Sequence, residues 1–151
     1  MRYRDVQTQF GALTLVEDDG ALVGLNWGVS GRADISDVLD AAAIQLAQYD
    51  AGAREVFDLP LRVAGSQFQR DVCTAMSAIP FGHTVTYGDI ATELCAPAQA
   101  VGQACGANPI AIIIPCHRVM GARGLTGFSG AGGVETKVAL LRHEGAGGFL
   151  I

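Results

Sequence analysis

Residues 112–119 read Ile-Ile-Ile-Pro-Cys-His-Arg-Val, and no other run limits the fold and chemistry of the chain so tightly. Three β-branched residues in succession stiffen the backbone and suit a pleated, buried segment. Pro115 has no amide hydrogen, so a strand ladder cannot continue through it. The pattern predicts a buried strand over Ile110–Ile114, opened by the Asn108-Pro109 break. Cys116 then falls where that strand gives way to an exposed turn. A reactive group fixed at the end of a rigid element keeps its geometry.

A thiol of ordinary pKa, about 8.5, is mostly protonated at neutral pH, so an attacking cysteine needs a partner that favours the thiolate. His117 is the adjacent candidate, acting directly or through a water, and a carboxylate behind the imidazole would orient it. Glu144 can be that carboxylate if the last helix folds back over the turn. Neighbours on a regular strand face opposite ways, so this Cys–His spacing demands a turn or a bridging water. The plain alternative is a buried thiol beside a satisfied core histidine. A papain-like thiol hydrolase fits poorly, because its cysteine opens a helix and its histidine lies far away in sequence.

The chain has 151 residues, enough for one domain or two small lobes. Charge divides it near residue 65. Residues 1–65 carry ten acidic and five basic side chains, whereas residues 66–151 carry five of each, so the first part holds the whole net charge of −5. An acidic protein is an unusual partner for nucleic acid. A neutral lobe can still hold a phosphate backbone through helix N-termini and main-chain amides, with weak, salt-sensitive binding expected. No apolar run is long enough for a membrane helix and Met1–Asp5 has no leader character, so a soluble cytoplasmic protein is expected. The cysteines at 73, 95, 105 and 116 lack close zinc-type spacing. No metal is expected. Cys73, Cys95 and Cys105 read as small core residues in helices.

Periodicity outlines the elements. Residues 3–28 form a meander, with strands at Leu13–Val16 and Ala21–Trp27 joined by an acidic turn ending in Gly20. Ser36 caps a helix over about 37–50, and Phe57–Val63 reads as an edge strand carrying Pro60. Ser66 caps a helix over about 67–78. Thr86 caps a short helix through Leu94, the Ala96-Pro97 break follows, and a small-residue helix runs from Ala98 to Cys105. Two short helices with a tight break suggest a helix-turn-helix. A last helix covers about 134–144.

In this order, Pro115-Cys116-His117-Arg118-Val119 resembles the active-site signature of the O6-alkylguanine-DNA alkyltransferases. Three further stretches fit the same family: Ile79–Ala91, Ala100-Val101-Gly102 with Asn108-Pro109-Ile110, and Gly127-Phe128-Ser129 with Gly132–Val134 and Glu144-Gly145. The resemblance implies an α/β scaffold lobe over 1–65 and a winged helix-turn-helix lobe over 66–151. It implies irreversible, single-turnover transfer of the alkyl group from O6-alkylguanine, with O4-methylthymine as a further candidate substrate, in double-stranded DNA to Cys116 after base flipping. By resemblance, His117 relays to Cys116 through water, Glu144 orients His117, and Asn108 braces the turn. Tyr87 crowds the 3′ phosphate and bonds the flipped base. Ala98, Gln99, Ala100 and Gly102 face the minor groove. Val119, Phe128, Ser129 and Ala111 line the base pocket. A monomer needing no cofactor is implied.

Two positions depart from the family pattern. Gln99 stands where an arginine usually fills the gap left by the flipped base, and glutamine lacks its charge and planar stacking. Phe128 stands where a tyrosine is usual. Weakened flipping with intact chemistry is the expectation. The rival readings are a non-catalytic lesion-binding protein and a thiol hydrolase that turns over without a stable adduct.

Overall fold

The computed structural model describes residues 1–121 and 133–146, which form two compact units, 1–63 and 64–151. In the first unit, β1 (Arg2–Thr8), β2 (Gly11–Asp18) and β3 (Ala21–Trp27) make an antiparallel sheet in the order β1-β2-β3. Asp19 and Gly20 both have positive φ, the conformation that a tight two-residue hairpin requires between right-twisted strands. α1 (Asp37–Asp50) starts where the Ser36 hydroxyl accepts from the Leu39 amide, and its inner stripe is Leu39, Ala42, Leu46 and Tyr49. Phe57–Val63 is not a strand. It touches β3 through one bridge, Leu22 to Leu61, because Pro60 contributes its carbonyl to Leu22 but has no amide to extend the ladder.

The second unit carries the cysteine-histidine run. α2 (Gln67–Ser77) begins at a Ser66 cap and buries Val72, Cys73 and Met76. The side chain of Gln69 donates to the Ala104 carbonyl at 2.8 Å, fastening α2 to α4 (Ala98–Gly106). Between them, β4 (Val85–Thr86) leads directly into α3 (Tyr87–Leu94). Thr86 and Asp89 form a reciprocal capping box, which satisfies two amides that the helix start would otherwise leave bare. α3 and α4 are the helix pair with a tight break that the sequence suggested.

The break itself differs from expectation. Cys95 is exposed rather than in the core, and it ends α3 in the left-handed region at φ 53°. A side chain at that position strains a backbone that glycine would adopt freely. Cys95→Gly should therefore raise stability by about 0.5–1 kcal/mol, seen as a small upward shift in Tm.

The largest departure is Ile110–Ile114. These residues are buried as expected but form turns, not a strand. The Asn108 side chain reaches around them, donating to the Ile114 carbonyl at 2.8 Å and accepting from the Ile110 amide at 3.0 Å. Further bonds from Ile113 to Ala111 and from Ile114 to Ile110 close the segment on itself. Ile112 consequently sits at φ 71°, a costly conformation for a β-branched residue. One asparagine amide thus overrides the strand preference of four isoleucines. The chain then runs through a 3-10 turn (Cys116–Arg118) into β5 (Val119–Met120). β5 pairs in parallel with β4, Val85 against Val119 and Thr86 against Met120. α5 (Val134–His143) closes the described part of the unit.

Candidate active site

Cys116 opens the 3-10 turn and is only 7% exposed, so it is enclosed where an exposed turn was expected. Burial pushes its thiol up from the ordinary range, while the Asn108 side chain and the Lys137 ammonium pull it back down. Burial prevails, and the resting sulfur is a protonated thiol. Ionisation then depends on a base that acts when substrate arrives. Burial raises the other buried thiols as well, taking Cys105 to about 12.

The 3-10 turn supplies the bend that the Cys–His spacing required. His117 is completely buried, and its Nε2 lies 2.7 Å from Glu144 Oε2. Glu144 follows directly on α5, so the last helix does fold back over the turn. An ionised carboxylate only accepts, which assigns the hydrogen to Nε2 and leaves Nδ1 bare. Among the described residues, His117 Nδ1 is the buried side-chain atom with no hydrogen-bond partner. Burial holds the imidazole below its ordinary pKa against the opposing pull of Glu144. It is neutral at physiological pH and able to accept a proton. Burial alone would raise the Glu144 carboxyl, but hydrogen bonds from His117 and Arg118 hold it at about 2.

Two cations complete the cluster, and sequence reasoning missed both. Arg118 donates from Nε to Glu144 Oε1 at 2.8 Å and from Nη2 to Oε2 at 2.9 Å, a forked pairing. Its Nη1 reaches the Ile79 carbonyl at 2.7 Å. Lys137 is fully buried, donates to the Val119 carbonyl at 2.5 Å, and lies 5.8 Å from the centre of the Tyr87 ring. A signal for Lys137 was present: positions 137, 140, 141 and 144 share one face of a helix whose leucines are buried. Counting the lysine only in the charge balance left that signal unused.

The structure therefore brings Cys116, His117, Glu144 and Asn108 into one cluster. Val119 and Ala111 are buried beside them in sequence, and Tyr87 joins through Lys137. Ala98 and Gln99 are exposed on α4, with Ala100 and Gly102 partly so, which makes a separate surface of small side chains. Phe128 and Ser129 lie outside the described residues. The cavity lined by Ala75, Ala78, Ile79, Pro80, Val85, Asp89, Ile90 and Glu93 includes none of the site residues named from sequence.

Comparison with known proteins bears on this arrangement. The family model for the DNA-binding domain of 6-O-methylguanine DNA methyltransferase matches residues 67–146. A methylated-DNA–protein-cysteine methyltransferase from Mycolicibacterium paratuberculosis is 42% identical, over 95% of this chain and 92% of that protein. The chain belongs to the methylated-DNA–protein-cysteine methyltransferase family. The crystal structure of the Mycobacterium tuberculosis O6-methylguanine methyltransferase is 40% identical, covers 95% of this chain and 92% of its own, and matches with a TM-score of 0.84. A crystal structure of Mycobacterium tuberculosis OGT in complex with DNA matches at 0.85, with 40% identity over 99% of this chain and 98% of that one. As a methyltransferase of this family, the chain has the α/β architecture expected from its sequence, with its cysteine in the second unit.

Proposed function

We propose that this protein repairs DNA by moving the alkyl group of O6-alkylguanine onto Cys116, once per molecule. The observation that carries the reading is the buried Cys116–His117–Glu144 cluster, with Nδ1 of a neutral imidazole left open as a proton acceptor. The target atom is hidden in a stacked duplex, so the base must be everted at a cost of a few kcal/mol. His117, through a water, takes the thiol proton as sulfur attacks the alkyl carbon. The S–C bond forms while the C–O6 bond breaks, and its electron pair passes to the purine, which takes a proton at N1 from water as the imidazolium returns the thiol proton to water. A thioether has no ready leaving group, so the protein is not regenerated. Glu144 orients the imidazole and stabilises its positive charge. Asn108 and Lys137 lower the cost of the thiolate. Tyr87 and the main chain at Cys116 and Val119 hold the base, with Ala111, Phe128 and Ser129 around it.

The exposed α4 face supports duplex binding through Ala98, Gln99, Ala100 and Gly102. A side chain built at Gly102 would meet nothing within 4 Å in the free protein. Its glycine therefore costs helix stability without serving internal packing, which fits close approach by a groove. Gly102→Leu should raise the melting temperature slightly and weaken duplex binding about tenfold, a loss of ~1.4 kcal/mol, measured by anisotropy at fixed salt. Eversion of the base, a monomeric state and a cytoplasmic location belong to the same reading. Among the described residues, no helix is long and apolar enough to cross a membrane. The names of the relatives speak for transfer over passive lesion binding.

Intact-protein mass spectrometry after incubation with an O6-methylguanine duplex tests the proposal. One added methylene on Cys116, absent in Cys116→Ser, is expected. Tight binding without any mass change would overturn it.

A further inference from the structure

The two oxygens of Glu144 are shared by a cationic and a potentially cationic side chain. Arg118 bonds both of them, and His117 shares Oε2 with the guanidinium. Without Arg118, a buried carboxylate facing a lone imidazole would stabilise its protonated form. A protonated His117 has hydrogens on both nitrogens and cannot take one from the thiol. The forked arginine prevents this in two ways. It neutralises the carboxylate, and it places its own positive charge next to the ring. Its third bond, to the Ile79 carbonyl after α2, together with the Phe81 ring 5.8 Å from the guanidinium carbon, fixes it in that pose.

We propose that Arg118 is a positioning residue that keeps His117 neutral, with Nδ1 bare, by holding both oxygens of Glu144. Among the described residues, the charged groups acting on His117 are Arg118 on its own turn, Lys137 on α5 and Glu144 at the end of α5, with the Cys116 thiol next to it in sequence. Lys137 also opposes a charged imidazole, and its ammonium is anchored on the Val119 carbonyl. Arg118 combines the charge with a fork on both carboxylate oxygens. Lysine at this position would retain the charge as a single point and could not span two oxygens and a carbonyl in the same way.

This inference rests on the cysteine-transfer reading for its purpose, but the test does not need transfer to occur. The chain has three histidines, so 15N-histidine labelling gives few ring signals to follow during a pH titration. In the unmodified protein, His117 should remain a neutral Nε2–H tautomer through pH 6–8. In Arg118→Gln its titration midpoint should rise by about one pH unit or more. In Arg118→Lys it should rise by a smaller amount. The pH giving half-maximal Cys116 alkylation by O6-benzylguanine should move upward in the same order.

Arg118→Lys keeps a charge in the buried cluster and serves as the deciding variant if Arg118→Gln does not fold. A folded variant whose His117 midpoint matches the unmodified protein overturns the proposal, even if its alkylation rate is lower at every pH. A shifted midpoint in a protein that forms no adduct would uphold the role of Arg118 and count instead against the transfer reading.

Discussion

Glu144→Ala is expected to destabilise the protein by about 3–5 kcal/mol, because truncation leaves a buried guanidinium and a buried imidazole without their shared acceptor. Both side chains of the pair are almost completely enclosed, so water cannot replace the carboxylate as it would on a surface. The lost apolar contact is small beside this electrostatic penalty. For a chain of this size the change corresponds to a fall in Tm of roughly 10 °C. Thermal melting of Glu144→Ala and Glu144→Gln provides the check. Gln retains an acceptor oxygen and should lose less. Equal stability for all three proteins would mean that the cluster contributes reactivity and no cohesion.

Acid should unfold the second unit in two stages whose order follows from the same residues. Burial depresses His117 in the folded state below its ordinary 6.5, so the unfolded chain binds that proton first and stability falls as pH drops below 6.5. Glu144 lies at about 2 in the folded state against 4.5 when unfolded, so its contribution is complete above 4.5 and is lost as pH falls towards 2. That difference corresponds to about 3 kcal/mol, a large share of the stability of an ordinary domain. Denaturant midpoints measured at pH 7, 5.5, 4 and 3 should decline throughout, with the steeper loss below 4.5. A midpoint that stays constant from pH 4.5 to pH 3 would contradict the assigned ionisation of Glu144.

Much of this fold was legible because local signals agreed with one another. The caps at Ser36, Ser66 and Thr86 each make the hydrogen bond that their residue type predicts. The alternation at Leu13–Val16 and Ala21–Trp27 falls within β2 and β3, and the acidic hairpin turn has the backbone that its glycine suggested. Cys116, His117, Glu144 and Asn108 meet as expected. What failed was non-local. Four isoleucines around Ala111 favour a strand only if nothing recruits their backbone groups, and Asn108, from outside the run, takes the Ile110 amide and the Ile114 carbonyl. The buried positions of Arg118 and Lys137 depend on partners far along the chain, Ile79, Val119 and Glu144, which local spacing does not reveal. The helix end at Leu94 was read correctly, but Cys95 was still counted as a core residue although the position after a helix end turns outward at positive φ.

The enclosure of Cys116 has a consequence for a molecule that reacts once. A protonated sulfur with little solvent contact presents a poor target to diffusing electrophiles and peroxides, which consume accessible thiolates. Seclusion spares the protein from premature capping. On the proposed reading, an electrophile carried in on its own purine meets the sulfur and the base together, so scarcity of access becomes a source of selectivity.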